Sequence, residues 1–534
     1  MANIVVDLTP VLPGGENGGA KLMVLELVKQ LGSLYSKEHF TLLTSEAAHA
    51  ELTALTSHNV HSFCVSPAHK KTATENPYFL RSRFLRRALN YAKRRISYEG
   101  RRQVKIRKTL LEQLKPDLLF CPFTAPFFSF PKVPVVSVIY DLQFLEYPNF
   151  FSVEAQIERM GHFKKACEKA SRLICISDFT RQSVLKYAPI PVEPAQVSTV
   201  PIYVTSEWTQ KGAYGGMPEL LKQHNLEYEN FLLYPANFWK HKNHKVLLTA
   251  FALYRAKYPH SSLKLVCTGA PETGQEIIQL AAEAMNIAEH IVFSGYVSSN
   301  ALFGLMSACK ALIFPSLYEG FGIPVVEAML LGKPVLCSNR GSLVEVGGKS
   351  ALYFHPGKPK EIVTAIEKVE YEFDSLREPI VQGYEKALEY LGAEKMAKAY
   401  YDIFQAAMQD KNYYRDALHG VYEDGWASDK ISLTYAAAKK ERMLNMILQC
   451  PQFHPNAPLS ITLAGVSFPK EVTYSLNAGD ALTIQQPIAK ESGYLEILIK
   501  NPFQPAQYNM GADARILGCL FQGYSLEPLV SESA

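Results

Sequence analysis

The 534-residue chain has no apolar stretch close to the roughly 20 residues that cross a bilayer as a helix. Its start, Met1-Ala-Asn-Ile-Val-Val-Asp-Leu, has neither the basic opening nor the long apolar centre of a secretion signal, and reads as a strand. Cysteine occurs nine times, yet never as a C-x-x-C pair, and no histidines cluster at zinc-ligand spacing. A zinc module and a disulfide framework are both excluded by that pattern. An odd number of isolated, mostly apolar-flanked thiols suits the reduced core cysteines of a cytoplasmic protein. Internal repeats, low-complexity tracts and recognisable nucleic-acid-binding motifs are absent too.

What is present is the composition of a soluble globular protein, 48% hydrophobic and 20% charged, in a chain long enough for three domains. Net charge is only +4 but unevenly spread. Residues 81–108 hold twelve Lys or Arg and one acid, Glu99. Phe84, Leu85, Ala88, Leu89, Ala92 and Ile96 recur there at helical spacing. A basic amphipathic helix suits an anionic membrane surface, each basic residue adding about 1 kcal/mol near the lipid. The other reading is a helix packed through its apolar side with its charges solvated. Nucleic acid is not expected as a partner, since no motif accompanies the charge.

Up to residue 205 short, wholly apolar runs (4–8, 40–43, 118–120, 133–140, 173–176) alternate with helical stretches such as 22–31 and 153–170. Runs apolar on both faces are strands covered on both sides, so the alternation predicts a doubly wound parallel sheet. A polar, glycine-containing stretch at 206–230 reads as a linker. The alternation then restarts at 231–234, 263–267, 291–293, 311–314 and 335–337. Two Rossmann-like halves joined this way leave a cleft outside their strand C-termini, where a ligand binds. After about residue 410 the pattern becomes polar/apolar alternation at 430–435, 459–463, 472–476, 481–485, 494–499 and 515–520, broken by turn-like clusters such as Asn477-Ala-Gly-Asp480. That predicts a C-terminal all-β sandwich. The fold class is therefore α/β, with two Rossmann-like domains facing a cleft and an appended sandwich at 411–534.

The most informative segment is 315–327, Pro-Ser-Leu-Tyr-Glu-Gly-Phe-Gly-Ile-Pro-Val-Val-Glu. It follows an apolar strand. Gly320 and Gly322 form a loop whose amides can approach a ligand, Pro324 opens a helix and Gly332 stops it. A strand, a glycine loop and a helix N-terminus make an anion site suited to a diphosphate. Glu319 and Glu327, placed in the first helical turn, bracket it. Carboxylates repel phosphate and pair with hydroxyls, which describes a nucleotide sugar: ribose on one flank, sugar on the other. In Pro235-Ala-Asn-Phe-Trp-Lys-His-Lys-Asn-His244, Asn243 is a candidate helix cap, which puts Lys242 at a second helix N-terminus facing the same phosphates. Pro13-Gly-Gly-Glu-Asn-Gly-Gly-Ala-Lys21 joins the first strand to the first helix and offers Gly18 and Gly19 to the cleft, or serves as a structural turn.

The spacing Glu319-x7-Glu327 within S-L-Y-E-G-F-G-I-P-V-V-E-A resembles the signature of retaining glycosyltransferases of family 4, which have the GT-B fold. The resemblance covers roughly residues 1–408, with wording closest to bacterial mannosyltransferases of surface-polysaccharide synthesis. It implies an N-terminal acceptor domain (1–205), a nucleotide-sugar donor domain (206–385) and a helix crossing back to the first domain (386–410). It implies catalytic roles for Glu319, Lys242 and Asp141. Substrate contacts would fall to Gly18, Gly19, Glu327, Gly320, Phe321, Gly322, Gly295, Tyr296 and Ser177. Asp141 and Ser177 also read as a turn residue and a helix cap. Where the family has a His beside Asp141 this chain has Tyr140, and where it has an Arg six positions before Lys242 it has Ala236, for which Lys240 or His241 would compensate. The implied donor is a GDP- or UDP-linked sugar handled without metal or other cofactor. The implied acceptor is a glycan or lipid-linked glycan, reached from the cytoplasm or the inner membrane face. A non-catalytic glycan- or nucleotide-binding protein on a decayed GT-B scaffold is the alternative. The sandwich would hold glycan through an aromatic such as Trp426, or mediate assembly with a second copy or a partner glycosyltransferase.

Overall fold

The computed structural model describes residues 1–13, 18–65, 110–128 (apart from 112), 133–205, 217–270, 273–410 and, single positions and short gaps aside, 417–528. The basic segment 81–108 lies outside the described residues.

Seven parallel strands form the N-terminal sheet: β1 (Asn3–Leu8), β2 (His39–Thr44), β3 (Val60–Cys64), β4 (Leu118–Cys121), β5 (Val135–Ile139), β6 (Arg172–Cys175) and β7 (Val197–Thr199), in the order β3-β2-β1-β4-β5-β6-β7. β1, β4 and β5 are buried almost throughout, which is why they read as continuous apolar runs. β3 and β7 carry no continuous apolar run, because at these sheet edges only their first residues, Val60 and Val197, are buried. The second sheet comprises β8 (Phe231–Pro235), β9 (Lys264–Thr268), β10 (Ile291–Gly295), β11 (Ala311–Phe314), β12 (Val335–Ser338) and β13 (Leu352–Phe354), ordered β10-β9-β8-β11-β12-β13. The expected linker is in part structured, since the helix Met217–Gln223 falls within it.

In both sheets the strand order reverses once, at β1/β4 and at β8/β11. Loops at such a switch point diverge to opposite faces and leave a crevice. Helix Ala393–Gln409 returns to the first domain. There Tyr401 stacks on Tyr35 with ring centroids 3.6 Å apart and donates a 2.7 Å hydrogen bond to Glu38, while Tyr400 and Phe404 pack on Phe120. Helix Gly18–Leu34 packs against the same helix.

The C-terminal domain has eight described antiparallel strands in two sheets. One is β14 (Ala417–Val421), β15 (Ala427–Tyr435), β20 (Gly493–Lys500), β17 (Leu459–Gly465) and β18 (Phe468–Leu476); the other is β19 (Ala481–Ile488), β16 (Arg442–Gln449) and β21 (Leu520–Pro528). Ile431, Leu433, Ile461 and Ile497 of the first sheet share one core with Leu444, Met446 and Leu448 of the second, so the domain is a sandwich. The strand expected at 515–520 is displaced: β21 starts at Leu520, because Arg515 sits in a loop, its guanidinium bound to Asp424 and Asp513. Trp426 is half-buried, its ring edge-on to Phe503 and Phe453.

Candidate functional site

The two loops at the switch point of the second sheet carry the site. One leaves β8 and ends at helix His244–Lys257; the other leaves β11 and ends at helix Ile323–Leu330. They are laced together: Leu317 N–H donates to His241 O at 2.8 Å, and Asn243 Nδ2 donates to Pro315 O and Pro356 O at 3.0 and 2.8 Å. Asn243 holds the cap position with φ 61°, but its side chain makes no cap. The buried carbonyls of two prolines take its amide instead, because a buried acceptor left unpaired is costly.

Lys242 is thereby aimed at the glycine loop. Its Nζ stands 2.6 Å from Glu319 Oε1, both side chains largely buried, and 5.4 Å from the centre of the Phe314 ring. His241 and His244 flank it. Burial first, and then the Lys242 charge, push His241 down to about 4 and His244 down to about 3, so both are neutral near pH 7. His241 therefore brings no charge to offset Ala236, and Lys240 is solvent-exposed.

The loop 315–322 is held from behind by Ser342, whose hydroxyl lies 2.9 Å from Glu319 O and 2.8 Å from Phe321 O. Gly322 caps the following helix at φ 110°, where a Cβ would come within 2.7 Å of Leu343 Cδ2. Pro324 is the second residue of that helix, and Gly332 lies just beyond its end at φ 66°. Glu327 is in the second turn rather than the first. It is 8% exposed, with no hydrogen bond or ion pair to its carboxylate among the described residues. Burial alone raises its pKa to about 8. A carboxyl in this condition is mostly protonated near pH 7. Phe321 is buried with its ring edge-on to Tyr390, which leaves only its backbone for a ligand.

The N-terminal domain closes on this loop. A Cβ at Gly320 would lie 2.1 Å from Tyr140 O, so only glycine permits the contact. Thr180 Oγ1 is 3.3 Å from Tyr140 O and 3.4 Å from Gly320 O; Leu142 N–H donates to Tyr318 Oη at 3.3 Å, and Tyr147 Oη donates to Leu317 O at 3.2 Å. Asp141 faces the cavity, accepting from Gln143 N–H at 3.1 Å; burial raises its pKa, opposed by that bond and by Arg159. Ser177 is fully buried as the cap of helix Asp178–Tyr187, accepting from Thr180 N–H at 3.1 Å. The Tyr140 hydroxyl is buried without a partner among the described residues. Gly19 touches helix Ile323–Leu330 (a Cβ there would be 3.4 Å from Ile323 Cδ1), and Gly18 starts its own helix at φ 55°. Gly295, at φ 69°, accepts from Gly269 N–H at 2.9 Å, and Tyr296 beside it is 73% exposed.

Between the domains lies a cavity of about 1130 Å³ lined by Asp141, Arg159, His241, Lys242 and Glu319, among others. The structure thus brings Lys242, Glu319 and Asp141 together, while Gly18, Gly19, Ser177, Gly295, Tyr296, Gly320, Phe321, Gly322 and Glu327 stand outside that lining. Ser342, Tyr318, Thr180 and Arg159 were not foreseen. Ser342, Tyr318 and Thr180 meet partners remote in sequence, and although Tyr318 lies within 315–327, nothing local marks what it contacts.

Two Rossmann-like domains that meet across switch-point loops, with a helix crossing back, constitute the GT-B architecture. Residues 217–386 match the family of glycosyl transferases group 1. It is similar to the O-antigen chain mannosyltransferase B of Escherichia coli, 26% identical over 225 residues, 41% of this chain and 57% of the relative. It is also similar to the serotype-specific mannosyltransferase WbdA of Escherichia coli, 30% identical over 230 residues, 42% of this chain and 27% of the relative. The match therefore spans little more than half of the first relative and about a quarter of the second. Among solved structures, Anabaena HepE in complex with UDP-glucose superposes with a TM-score of 0.56 at 16% identity, covering 76% of this chain and all of that one. The last shows the fold.

Proposed function

We propose that the chain is a retaining hexosyltransferase that moves a sugar, mannose by preference, from a nucleotide-diphosphate donor to a glycan or lipid-linked glycan in surface-polysaccharide synthesis. The observation that carries this is the convergence of Lys242, Glu319 and Asp141 on one interdomain cavity, with the buried Glu327 carboxyl on the adjoining helix. The group 1 match and the two mannosyltransferase relatives support the same reading.

In this scheme Glu327 accepts the ribose hydroxyls and the amides of 320–322 meet the diphosphate. Lys242, held in place by Glu319, offsets the charge that grows on the departing diphosphate. Glu319 lies against the sugar hydroxyls. The bond from the anomeric carbon to phosphate oxygen breaks, the acceptor oxygen bonds to that carbon on the same face, and the acceptor proton passes to the leaving phosphate. No protein nucleophile is needed, and the protein's own cations and amides take the place of a metal. The segment 81–108 brings the enzyme to an anionic membrane surface, where a lipid-linked acceptor resides. Among the described residues no helix is long and apolar enough to cross a membrane.

Incubation with GDP-mannose, UDP-glucose, UDP-galactose and UDP-N-acetylglucosamine tests this, with nucleoside diphosphate release and the anomeric configuration of the product read by NMR. Release from one donor with retained configuration is expected. Tight donor binding with no release from any of them, with acceptor glycan supplied, would mark the chain as a binding protein.

A further inference from the structure

Glu345 stands on the short helix Leu343–Gly347 of the donor domain, yet its carboxylate ends in the other domain. Oε1 accepts from Asp178 N–H at 2.9 Å and Oε2 from Phe179 N–H at 3.0 Å. These are the first two amides of helix Asp178–Tyr187, and the third, of Thr180, is taken by that helix's own Ser177. The unpaired amides that begin every helix are here divided between two domains. A negative charge is also favoured at the positive end of the helix dipole.

The other hydrogen bonds across this face are neutral and long, at 3.2 to 3.4 Å (Leu142 to Tyr318, Tyr147 to Leu317, Thr180 to Gly320). Charge-assisted bonds are roughly twice as strong as neutral ones. On this face of the cleft the charge-assisted hold is thus that of Glu345, while the crossing segment ties the domains elsewhere, through Val204 N–H to Tyr390 O at 2.9 Å and Tyr401 to Glu38. It also lies one helical turn from Ser342, which fixes the backbone of Glu319, and Phe179, whose amide is one of its two donors, packs edge-on against Tyr318 at 5.4 Å. A single connected path runs from the Glu345 carboxylate through Ser342 to Glu319 and Lys242.

We propose that Glu345 is a positioning residue, a clasp that holds the cleft shut and thereby sets the placement of Glu319 and Lys242. It touches neither reacting atom. Opening requires both amides to exchange the carboxylate for water, so the clasp also limits how readily a spent nucleotide leaves. The kinetic side of this rests on the transferase reading; the closure does not.

The test compares the full chain with Glu345→Ala and Glu345→Gln by small-angle X-ray scattering without donor, by melting temperature, and by kcat and KM with whichever donor reacts. Both variants should keep a melting temperature near that of the parent, because the clasp joins domains rather than building a core. Both should show a larger radius of gyration. Turnover should fall by about tenfold or more, mostly in kcat, since a misplacement of about 1 Å can cost about a hundredfold. If Glu345→Ala does not fold, Glu345→Gln carries the same comparison, its amide nitrogen facing a backbone N–H and unable to accept from it. An unchanged radius of gyration overturns the clasp, even where no donor reacts. A larger radius with unchanged kcat overturns the positioning role. A chain that turns over no donor but expands on substitution contradicts the transferase reading and leaves the clasp standing.

Discussion

Glu327 is the residue whose chemistry is least at home in its surroundings. Burial raises its pKa to about 8, so at neutral pH the free protein holds it mostly protonated. Ribose hydroxyls donate best to the ionised form, so donor binding is coupled to loss of that proton. Donor affinity should therefore rise between pH 6 and 8, by up to about tenfold per pH unit, and level off above pH 8. Titration calorimetry across that range should show the slope in the parent chain and a flat profile in Glu327→Gln. The same proton affects stability. The folded state binds it more tightly than the unfolded chain, so its stabilising effect is complete below about pH 4.5 and is lost as pH rises through 8. Glu327→Gln should accordingly melt higher than the parent at pH 8.5 and differ less at pH 6. A parent chain whose donor affinity ignores pH would disconnect Glu327 from the ribose.

At the scale of elements, the glycine loop does two jobs with two glycines. Gly320 allows the cleft to close and Gly322 allows the helix to start. Gly320→Ala places a methyl against Tyr140 O, which a folded protein can avoid only by parting its domains. Turnover should fall by about tenfold or more with little change in melting temperature. Gly322→Ala asks an L-residue to adopt φ 110° against Leu343 and should cost about 1–3 kcal/mol of stability, read from denaturant unfolding. The reverse ranking, with Gly320→Ala the less stable variant, would mean that the closed contact is part of the folding core.

Sequence made this loop legible because strand, glycines, Pro324 and both glutamates are contiguous. Its supports were not legible. Ser342, Tyr318 and Thr180 act on backbone groups that only the domain packing brings near. The buried strands were readable from their apolar runs, whereas β3, β7 and β13 at the sheet edges were missed, as were β14 and β16 in the sandwich. In β16 (Arg-Met-Leu-Asn-Met-Ile-Leu-Gln) apolar residues break the alternation, since Ile447 is exposed while Leu444, Met446 and Leu448 are buried. Asn243 looked like a cap from its position, and the two proline carbonyls that claim its side chain are 72 and 113 residues away.

For the whole molecule, the sandwich has a core of its own, made among the described residues entirely of positions from 418 onward. The last residue tied to the first domain before it is Asp410, paired with Arg172 at 2.7 Å. A chain ending after Asp410 should therefore fold, melt as the parent GT-B unit does and release diphosphate at the parent rate, while extending polymeric acceptor poorly if the sandwich holds glycan. Intact polymer extension, with only solubility or assembly changed, would make the domain structural. Neither result bears on the central claim, that Lys242 and Glu319 at the switch point serve a departing nucleoside diphosphate. The most direct measurement of that is diphosphate release by the parent chain and by Lys242→Ala on the same reactive donor. The account predicts a loss of about a hundredfold or more in a variant that still melts as the parent does. Near-parental turnover by a well-folded Lys242→Ala would contradict it.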